Sequence, residues 1–307
     1  MSMGICNQTT GGTFILVGLS HKPDMLVLLF IGIFIMYFTC QFSNILITIL
    51  IYMDSHLHTP MYFLLSNLSF LDVSFTSVTL PKLLDIFTAG NKISFIGCMV
   101  QCHCVLTFQS TEYILLAVMA FDRFVAICRP LHYLLIMNHK LCVFLSLFSW
   151  IIIYVFTVPI TILMSTLQFC GSCEINHFYC DVMALLQLSC SDILRIQIVI
   201  FIAAALLGIP CFLLTLTSYI FIAQNILAIR TTSGRSKAFS TCSSHLTVVT
   251  LLYLVLFCLY LRPPSKMFLN DGKVISLLNT GAIPMLNPII YSLRNKDVKC
   301  AFKKLIK

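Results

Sequence analysis

Seven long apolar runs constrain the fold of this chain more than any other feature of its sequence. Polar segments separate them, and they cover residues 25–53, 61–80, 96–119, 141–167, 196–229, 246–261 and 274–293. A helix of about 20 apolar residues crosses the hydrocarbon core of a bilayer, and its backbone hydrogen bonds are satisfied within the segment. The sequence therefore predicts an all-α membrane protein, a seven-transmembrane helix bundle, and we number its spans in chain order.

Composition agrees with a single domain folded within the bilayer. Of the 307 residues, 59% are hydrophobic and 10% are charged, whereas soluble domains carry about 25% charged residues. The formal charge of +8 does not indicate nucleic-acid binding, because the basic residues lie at the ends of the apolar runs instead of forming one basic domain.

The basic residues also orient the bundle. With the N-terminus outside and the C-terminus inside, 12 of the 19 lysines and arginines fall on the inner side, as the positive-inside rule predicts. The sequon at Asn7 agrees, because glycosylation requires an external position. We divide the chain into an extracellular tail (1–24), a seven-transmembrane domain (25–293), and a cytoplasmic tail (294–307) that alternates basic and apolar residues like a short amphipathic helix.

Ionisable residues interrupt the apolar runs or end them. Asp72 lies in the second span, Glu112 lies in the third, and Asp122 precedes Arg123 at the inner end of the third. Charged groups at membrane depth are costly and indicate function by default. We interpret Asp122 and Arg123 as a latch that is closed while the carboxylate holds the guanidinium and open when a partner protein binds the arginine.

Helical spacing places Glu112 and Arg123 on one stripe of the third span, and a second stripe of polar residues lies on the seventh. Packing alone explains Leu116 and Met119, but Glu112 and Asp72 need a partner, a proton or a cation. We expect Pro210 to kink the fifth span, Pro288 to break the seventh, and the short sixth span to extend inward over residues 237–245. The stripes are Val105, Gln109, Glu112, Leu116, Met119 and Arg123 in the third span, and Thr280, Pro284, Asn287 and Tyr291 in the seventh.

Five short motifs occur in a fixed order along the spans. In order and spacing they resemble the rhodopsin-like G-protein-coupled receptors and, among these, the olfactory receptors, over nearly the whole chain. The tail Leu293-Arg294-Asn295-Lys296-Asp297-Val298 resembles the class II (tetrapod-type) branch. The motifs are LHTPMYFL (57–64), MAFDRFVAIC (119–128), Ser218-Tyr219, KAFSTCSSHL (237–246) and PMLNPIIY (284–291).

The resemblance implies two disulfides on the outer side, where an oxidising environment favours them. Cys98 would pair with Cys180 and Cys170 with Cys190, a choice that sequence alone does not make. Cys173 would be left over. With His177 four residues later it could bind a soft metal ion such as copper, although a free or packed thiol is the simpler interpretation.

The resemblance also implies an allosteric sodium site. Asp72 would be its acid, with Asn44 and Asn287 nearby, and Glu112 adds the second carboxylate typical of the olfactory branch. Two carboxylates in a medium of low dielectric either share a cation or keep one proton, and both alternatives stay open. We expect no other cofactor.

Activation would follow the family's pattern at the inner end. Arg123 would engage the alpha subunit of a stimulatory, olfactory-type G protein, Tyr219 and Tyr291 would swing in, and the segment from Lys237 to His245 would carry the outward movement of the sixth span. The implied coupling residues are Asp122, Arg123, Tyr219, Lys237, His245, Asn287, Pro288 and Tyr291.

The ligand would bind in the outer half, between the third, fifth, sixth and seventh spans. Near Val105 there is no acid of the kind that pairs with amines, so we expect a neutral, mainly hydrophobic volatile odorant. The candidate contacts, each of which could instead be packing, are Val105, Gln109, Ser110, Ala203, Leu207, Tyr253, Leu256, Tyr260 and Thr280.

Five positions depart from the family's pattern. Phe124 replaces a tyrosine, Leu134 a proline and Ser43 a glycine, while Leu254-Val255 replace a glycine and a threonine in the sixth span. The last change removes flexibility and a hydroxyl beside the pocket floor, which puts ligand range and ease of activation in question.

A transporter or channel and an intramembrane enzyme are the alternatives. No internal repeat is visible, and the chain has neither a Gly-x-Ser-x-Gly nor a His-Glu-x-x-His motif. The resemblance implies the plasma membrane of olfactory cilia, with membrane lipid and trafficking chaperones as further partners. Expression outside olfactory tissue, or a receptor without productive signalling, fits the sequence equally well.

Overall fold

The structure, a computed structural model, describes residues 12–19, 23–88, 90–170, 173–260, 269–293 and 296–306. In this part of the chain, seven long helices correspond to the predicted spans, and the seven-helix architecture is confirmed. Six of them are long and apolar enough to cross a membrane, and the sixth contributes a shorter apolar stretch, Cys242–Cys258. The spans are Pro23–Met53, Pro60–Thr88, Phe95–Cys128, His139–Ser165, Leu194–Ala228, Thr232–Tyr260 and residues 269–293.

Several helices extend beyond the apolar runs that predicted them. The second span continues through Pro81 to Thr88, and the third continues past Arg123 to Cys128. The sixth begins at Thr232, which confirms its inward extension. Hydropathy marks only the part of a helix inside hydrocarbon, whereas the backbone ladder continues through polar residues at the membrane surface. The fifth span runs through Pro210 as one helix.

The seventh span is irregular where the sequence did not predict it. A π-helical segment, Leu278–Ala282, joins the α-helices Leu269–Leu277 and Ile283–Leu293. The predicted break at Pro288 is wrong, because the second of these helices continues through it. A proline removes the N–H that would bond the carbonyl four residues earlier.

That freed carbonyl belongs to Pro284, and it has a replacement donor. The side-chain Nδ2 of Asn44, in the first span, donates to Pro284 O at 3.1 Å and to Cys40 O at 3.0 Å. A backbone oxygen without a donor is costly in lipid, so this bond lets the seventh span continue as a helix and ties it to the first.

A small sheet covers the outer end of the bundle. Strand β1 (Thr13–Leu16) lies between β2 (Lys92–Ser94) and β3 (Glu174–Ile175), antiparallel to β2 and parallel to β3. Next to β3, the outer loop forms a helix, Val182–Leu188, whose first N–H groups bond the carboxylate of Asp181. We did not predict these elements, because strands of two to four residues are too short to show alternation.

At the inner end, the predicted amphipathic helix is Lys296–Ile306, and its apolar residues Val298 and Ala301 are buried against the bundle. Lys304 Nζ lies 3.0 Å from Asp54 Oδ2 in the first inner loop. The hydrogen bond from Lys304, together with the backbone N–H of His56, lowers the pKa of Asp54. This pair anchors the terminal helix beside the first and second spans.

We expect Asn44→Leu to destabilise the protein by about 1 kcal/mol, the scale of a side-chain hydrogen bond between membrane helices. The leucine keeps the volume but leaves the Pro284 carbonyl without its donor. The measurement is the unfolding temperature of the detergent-purified protein. Unfolding is detected by the labelling of buried cysteines as they become exposed.

Ser43→Ala is the matched control. The Ser43 hydroxyl donates only to carbonyls of its own helix, at 2.6 Å to Thr39 O and 3.4 Å to Cys40 O. Its loss should shift the unfolding temperature little. Equal shifts for the two variants would show that the bond between spans contributes nothing.

Candidate functional site

The predicted stripe of the third span faces the interior of the bundle. Glu112, Leu116, Met119 and Arg123 are buried, as is Val105 near the outer end, while Gln109 is partly buried. Helical spacing thus located the inward face correctly, and this face connects the outer half of the bundle to the inner end.

At the inner end, Asp122 and Arg123 form a buried ion pair, with exposed fractions of 1% and 7%. The guanidinium donates through Nε at 3.0 Å and through Nη2 to the same oxygen, Asp122 Oδ2. The other oxygen, Oδ1, accepts from the Tyr133 hydroxyl at 2.8 Å. Burial and the adjacent carboxylate raise the pKa of Tyr133, so it stays a donor. The latch is therefore closed.

A second contact joins the fifth and sixth spans beside this pair. The Tyr219 hydroxyl lies 2.5 Å from His245 Nδ1, and the two rings stack with centroids 5.9 Å apart. From the seventh span, the Tyr291 hydroxyl is buried without a hydrogen-bond partner in the described part of the chain. All three side chains lie close enough to Arg123 to interact with its charge. The side chain of Lys237 lies outside the described residues.

The middle of the bundle contains a polar cluster. Asn287 Nδ2 donates to both oxygens of Asp72, at 3.0 and 3.3 Å, and Glu112 lies close to both residues. The donor of Asn44 is turned away toward Cys40 O and Pro284 O. Oxygens of three of these residues are buried without hydrogen-bond partners among the described residues: Asn44 Oδ1, Glu112 Oε1 and Oε2, and Asn287 Oδ1.

Unpartnered buried oxygens are acceptors that suit a proton or a hard cation. Over the described ranges, no three side chains of the His, Cys, Asp and Glu types come together to hold a metal ion. The cluster therefore combines the carboxyl groups of Asp72 and Glu112 with the amide oxygens of Asn44 and Asn287.

On the outer side, two disulfides hold the long loop between the fourth and fifth spans. Cys98 is joined to Cys180 and Cys170 to Cys190, the pairs that the resemblance implies. Cys173 is itself disulfide-bonded. Both interpretations of Cys173, as a copper ligand with His177 and as a free or packed thiol, are therefore wrong, because its sulfur is already in a covalent bond.

Gln101 positions the same loop over the bundle, a role that the sequence analysis missed. Its Oε1 accepts from the Cys180 backbone N–H at 3.0 Å, and its Nε2 donates to Val78 O in the second span at 2.8 Å. Gln101 lies about one helical turn after Cys98, so the spacing to the disulfide cysteine was the available signal.

Three consecutive aromatic residues of the loop form a cap above the third span. The His177 ring lies 4.7 Å from Phe178 and 4.3 Å from Tyr179, between centroids. Phe178 and Tyr179 belong to the buried cluster that contains Val105. Burial lowers the pKa of His177 to about 4, so the ring is neutral at physiological pH.

Beside this cap lies a buried lysine at the outer end of the seventh span. Lys273 Nζ donates to Gly18 O at 2.9 Å, and Gly18 N donates to His177 O at 3.3 Å. The charge pattern of the sequence puts Lys273 on the outer side of the membrane but gives no sign that it is buried. The tertiary structure instead buries it beneath the N-terminal segment.

The predicted ligand contacts separate into different environments. Val105 packs beneath the aromatic cap, whereas Ala203 packs in the cluster around Cys98. The Tyr253 ring contacts Phe212, with centroids 5.2 Å apart. Thr280 donates to Ser276 O at 2.9 Å, within its own helix. Partial burial is common to Gln109, Ser110, Leu207 and Leu256, and the side chain of Tyr260 lies outside the described residues.

The departures from the family pattern lie mostly away from this interior. Leu254 is 54% exposed, so its side chain faces lipid instead of the pocket floor, whereas Val255 packs on the inner apolar cluster. Phe124 packs between Phe121 and Phe221, with centroid distances of 6.1 and 5.9 Å. The replacement of the family's glycine by Leu254 therefore takes no space from the ligand region.

The depressed pKa of His177 predicts how stability depends on pH. A neutral ring in the folded state, against an unfolded pKa near 6.5, means that the unfolded chain binds the extra proton. The stability from His177 is complete above about pH 6.5 and is lost as pH falls toward about 4. Near pH 5 the loss should be about 2 kcal/mol.

The check is thermal unfolding of the purified protein at neutral pH and near pH 5. His177→Gln should lose less stability on acidification than the unmodified protein. His56→Gln, which changes an exposed histidine at the opposite, inner end of the bundle, is the matched control. A His177→Gln variant that keeps the full acid sensitivity would contradict this assignment.

Comparisons with known proteins agree with this architecture. A family model described as olfactory receptor matches residues 33–307. Olfactory receptor 1G1 of Gorilla gorilla gorilla is 46% identical over 301 residues, which cover 98% of this chain and 96% of that protein. Olfactory receptor 2AP1 of Homo sapiens is 43% identical over 302 residues (98% of each chain), and Olfactory receptor 5AR1 of Mus musculus is 45% identical over 301 residues (98% and 97%).

These matches cover the spans, the buried ion pair, the polar cluster and the Cys98–Cys180 and Cys170–Cys190 disulfides. They set aside the transporter and enzyme alternatives, since the relatives are receptors over nearly their whole lengths. The chain therefore belongs to the olfactory receptor family of G-protein-coupled receptors, as a multi-pass membrane protein that is not an enzyme.

Proposed function

We propose that this receptor binds a small, mainly hydrophobic volatile in the outer half of its helix bundle and activates a stimulatory, olfactory-type G protein that raises cAMP. The observation that carries the proposal is the closed Asp122–Arg123 pair, buried at the inner end of a helix that also borders the outer ligand region. One rigid element thus connects the two ends.

The outer half supports the ligand part of this proposal. Val105 lies beneath the aromatic cap of the outer loop, and partly buried side chains of the third, fifth and sixth spans follow below it. Small-molecule sites are mostly apolar with a few polar groups, which matches a lining that includes Gln109, Ser110 and Tyr253.

Signalling would proceed by opening the inner contacts. Arg123 would leave Asp122 for the alpha subunit, and the Tyr219–His245 contact between the fifth and sixth spans would separate or rearrange as the sixth moves outward. A ligand shifts this equilibrium only by its difference in affinity for the two states. A change from 1:99 to 99:1 requires about 5.5 kcal/mol, so weak odorants would act as partial agonists.

The test is a cAMP reporter assay with an olfactory-type alpha subunit and a trafficking chaperone, run against a diverse panel of volatiles. We expect at least one odorant response, and we expect Arg123→Ala to abolish it because the coupling group is removed. Arg129→Ala is the matched control: Arg129 is exposed six residues later, so its loss should leave most of the response.

Surface staining of intact cells through an N-terminal tag must show equal expression of the variants. A full odorant response in Arg123→Ala would sink the proposed coupling mechanism. Loss of the response in both arginine variants would indicate that signalling depends on the total positive charge at the inner surface and not on Arg123 in particular.

We also propose a sodium ion as an allosteric ligand of the polar cluster. Asp72, Glu112 and Asn287 lie together, and the unpartnered oxygens of Asn44, Glu112 and Asn287 provide acceptors for a hard cation. Sodium would stabilise the closed state by balancing the two carboxylates. The alternative is a single proton kept by the two acids.

Sodium dependence of stability separates the two alternatives. We expect the unfolding temperature of the purified receptor to rise when sodium chloride replaces choline chloride at equal ionic strength. Asp72→Asn should remove this rise, while Asp54→Asn, which changes an acid of the first inner loop, should keep it. If the unmodified receptor does not respond to sodium, the shared proton is the correct description.

The place of action is the plasma membrane, and we expect it to be that of sensory cilia. Trafficking chaperones are proposed partners, because the large lipid-facing apolar surface, which includes Leu28 and Phe201, must be covered before the protein reaches its membrane. Antibody staining of the native tissue would test the ciliary location.

A further inference from the structure

Lys273 is a buried cation that the proposed signalling mechanism does not use. It lies in the first helix of the seventh span, is 4% exposed, and is covered by the N-terminal segment. Its ammonium donates to Gly18 O at 2.9 Å. An ammonium has three N–H donors, so one backbone carbonyl satisfies only part of its capacity.

No acid of the described residues pairs with this ammonium. The ion pairs in that part of the chain are Lys82–Asp85, Asp122–Arg123 and Asp54–Lys304. The acid that interacts most closely with the cap is Asp181, whose Oδ2 accepts the N–H groups of Met183 and Ala184. Buried charges are normally paired, and among the described residues the ammonium of Lys273 has only the Gly18 carbonyl, which leaves it capacity for an anion.

Lys273 lies next to the region proposed for the ligand. Gly18 donates to His177 O, and the His177 ring packs on Phe178 and Tyr179 of the aromatic cap. Leu277, one helical turn after Lys273, packs against the cluster that contains Phe178 and Val105. The ammonium is therefore at the outer boundary of the region proposed for the odorant.

We propose that Lys273 binds the carboxylate group of an odorant whose apolar tail lies among the side chains below the cap. The inference rests on the proposed function and specifies the ligand class of that same site: volatile carboxylic acids with a short hydrocarbon chain. Such acids are ionised at neutral pH, since carboxyl groups of this kind have pKa values of about 4.

Other ligand classes fit this environment less well. An amine would carry a second positive charge toward Lys273, and Asp181, the acid beside the cap, already accepts the N–H groups of Met183 and Ala184. An alcohol or hydrocarbon would leave the ammonium without a counter-charge. His177 adds no competing charge, because its buried ring is neutral. Only an anionic ligand pairs the cation and fills the apolar region at once.

A purely structural role for Lys273, holding Gly18 and strand β1 in place, makes a different prediction. If Lys273 had only this role, a substitution of the lysine would lower the affinity of every ligand by a similar factor. Lys273→Gln keeps an N–H donor for the Gly18 carbonyl but removes the charge, and Lys273→Arg keeps the charge. Lys92→Gln is the matched control, because Lys92 is an exposed outer lysine on β2.

The experiment measures binding to purified receptor by the ligand-dependent shift of its thermal unfolding, with cAMP measured in parallel in cells. The probes are butanoic, hexanoic and octanoic acids with the alcohol, aldehyde and amine of matched chain length. We expect the acids to bind tightest. Lys273→Gln should weaken acid binding at least about ten-fold while alcohols change by less than about three-fold.

Lys273→Arg should keep most of the acid affinity, and Lys92→Gln should change nothing. Acids that bind no better than alcohols to the unmodified receptor would overturn the inference, and this comparison needs no variant to fold. Equal losses for acids and alcohols in Lys273→Gln would overturn it as well, in favour of the structural role.

Binding and signalling can fail separately. If acids bind in a Lys273-dependent manner without raising cAMP, the ligand assignment stands and the proposed coupling fails. If other volatiles raise cAMP and no acid binds, the proposed function stands and Lys273 is not an anchor for ligand carboxylates.

Discussion

The hydrogen bond from Asn44 to the carbonyl of Pro284 is the contact on which the interior of this receptor depends. Without it, the carbonyl freed by Pro288 would lie in lipid with no donor. With it, the seventh span continues as a helix beside the first. This continuation carries Asn287 to the second span, where its amide bonds both oxygens of Asp72. A single amide therefore positions the polar cluster that a cation or proton would occupy.

Polar groups in this bundle lie at three levels across the membrane, and the levels differ in how many of their hydrogen bonds are made. At the inner end, the carboxylate of Asp122 is bonded by Arg123 and by Tyr133. In the middle, Glu112 is buried with unpartnered oxygens. At the outer end, Lys273 has one backbone acceptor among the described residues. The Asp122 carboxylate is bonded through both of its oxygens, whereas Glu112 and Lys273 retain capacity for further partners, which is compatible with a switch controlled by a ligand.

Sequence reasoning located the inward stripe of the third span from Val105 to Arg123 because helical periodicity depends only on spacing. It also anticipated the amphipathic terminal helix. It failed at Pro288, since the local effect of proline was outweighed by a donor 240 residues away in the chain. It also misjudged Cys173, which is disulfide-bonded, and Leu254, whose orientation toward lipid depends on the rotation of the sixth span.

By itself, the sequence determined the number of spans, their order and the residues that face inward, because each follows from hydropathy and helical spacing within one segment. The motifs determined the family. Only the tertiary structure decided that Tyr219 touches His245, that Gln101 supports the outer loop and that Lys273 is buried under Gly18. Each of these contacts joins segments far apart in the chain, and their geometry depends on how the helices and the outer sheet pack together.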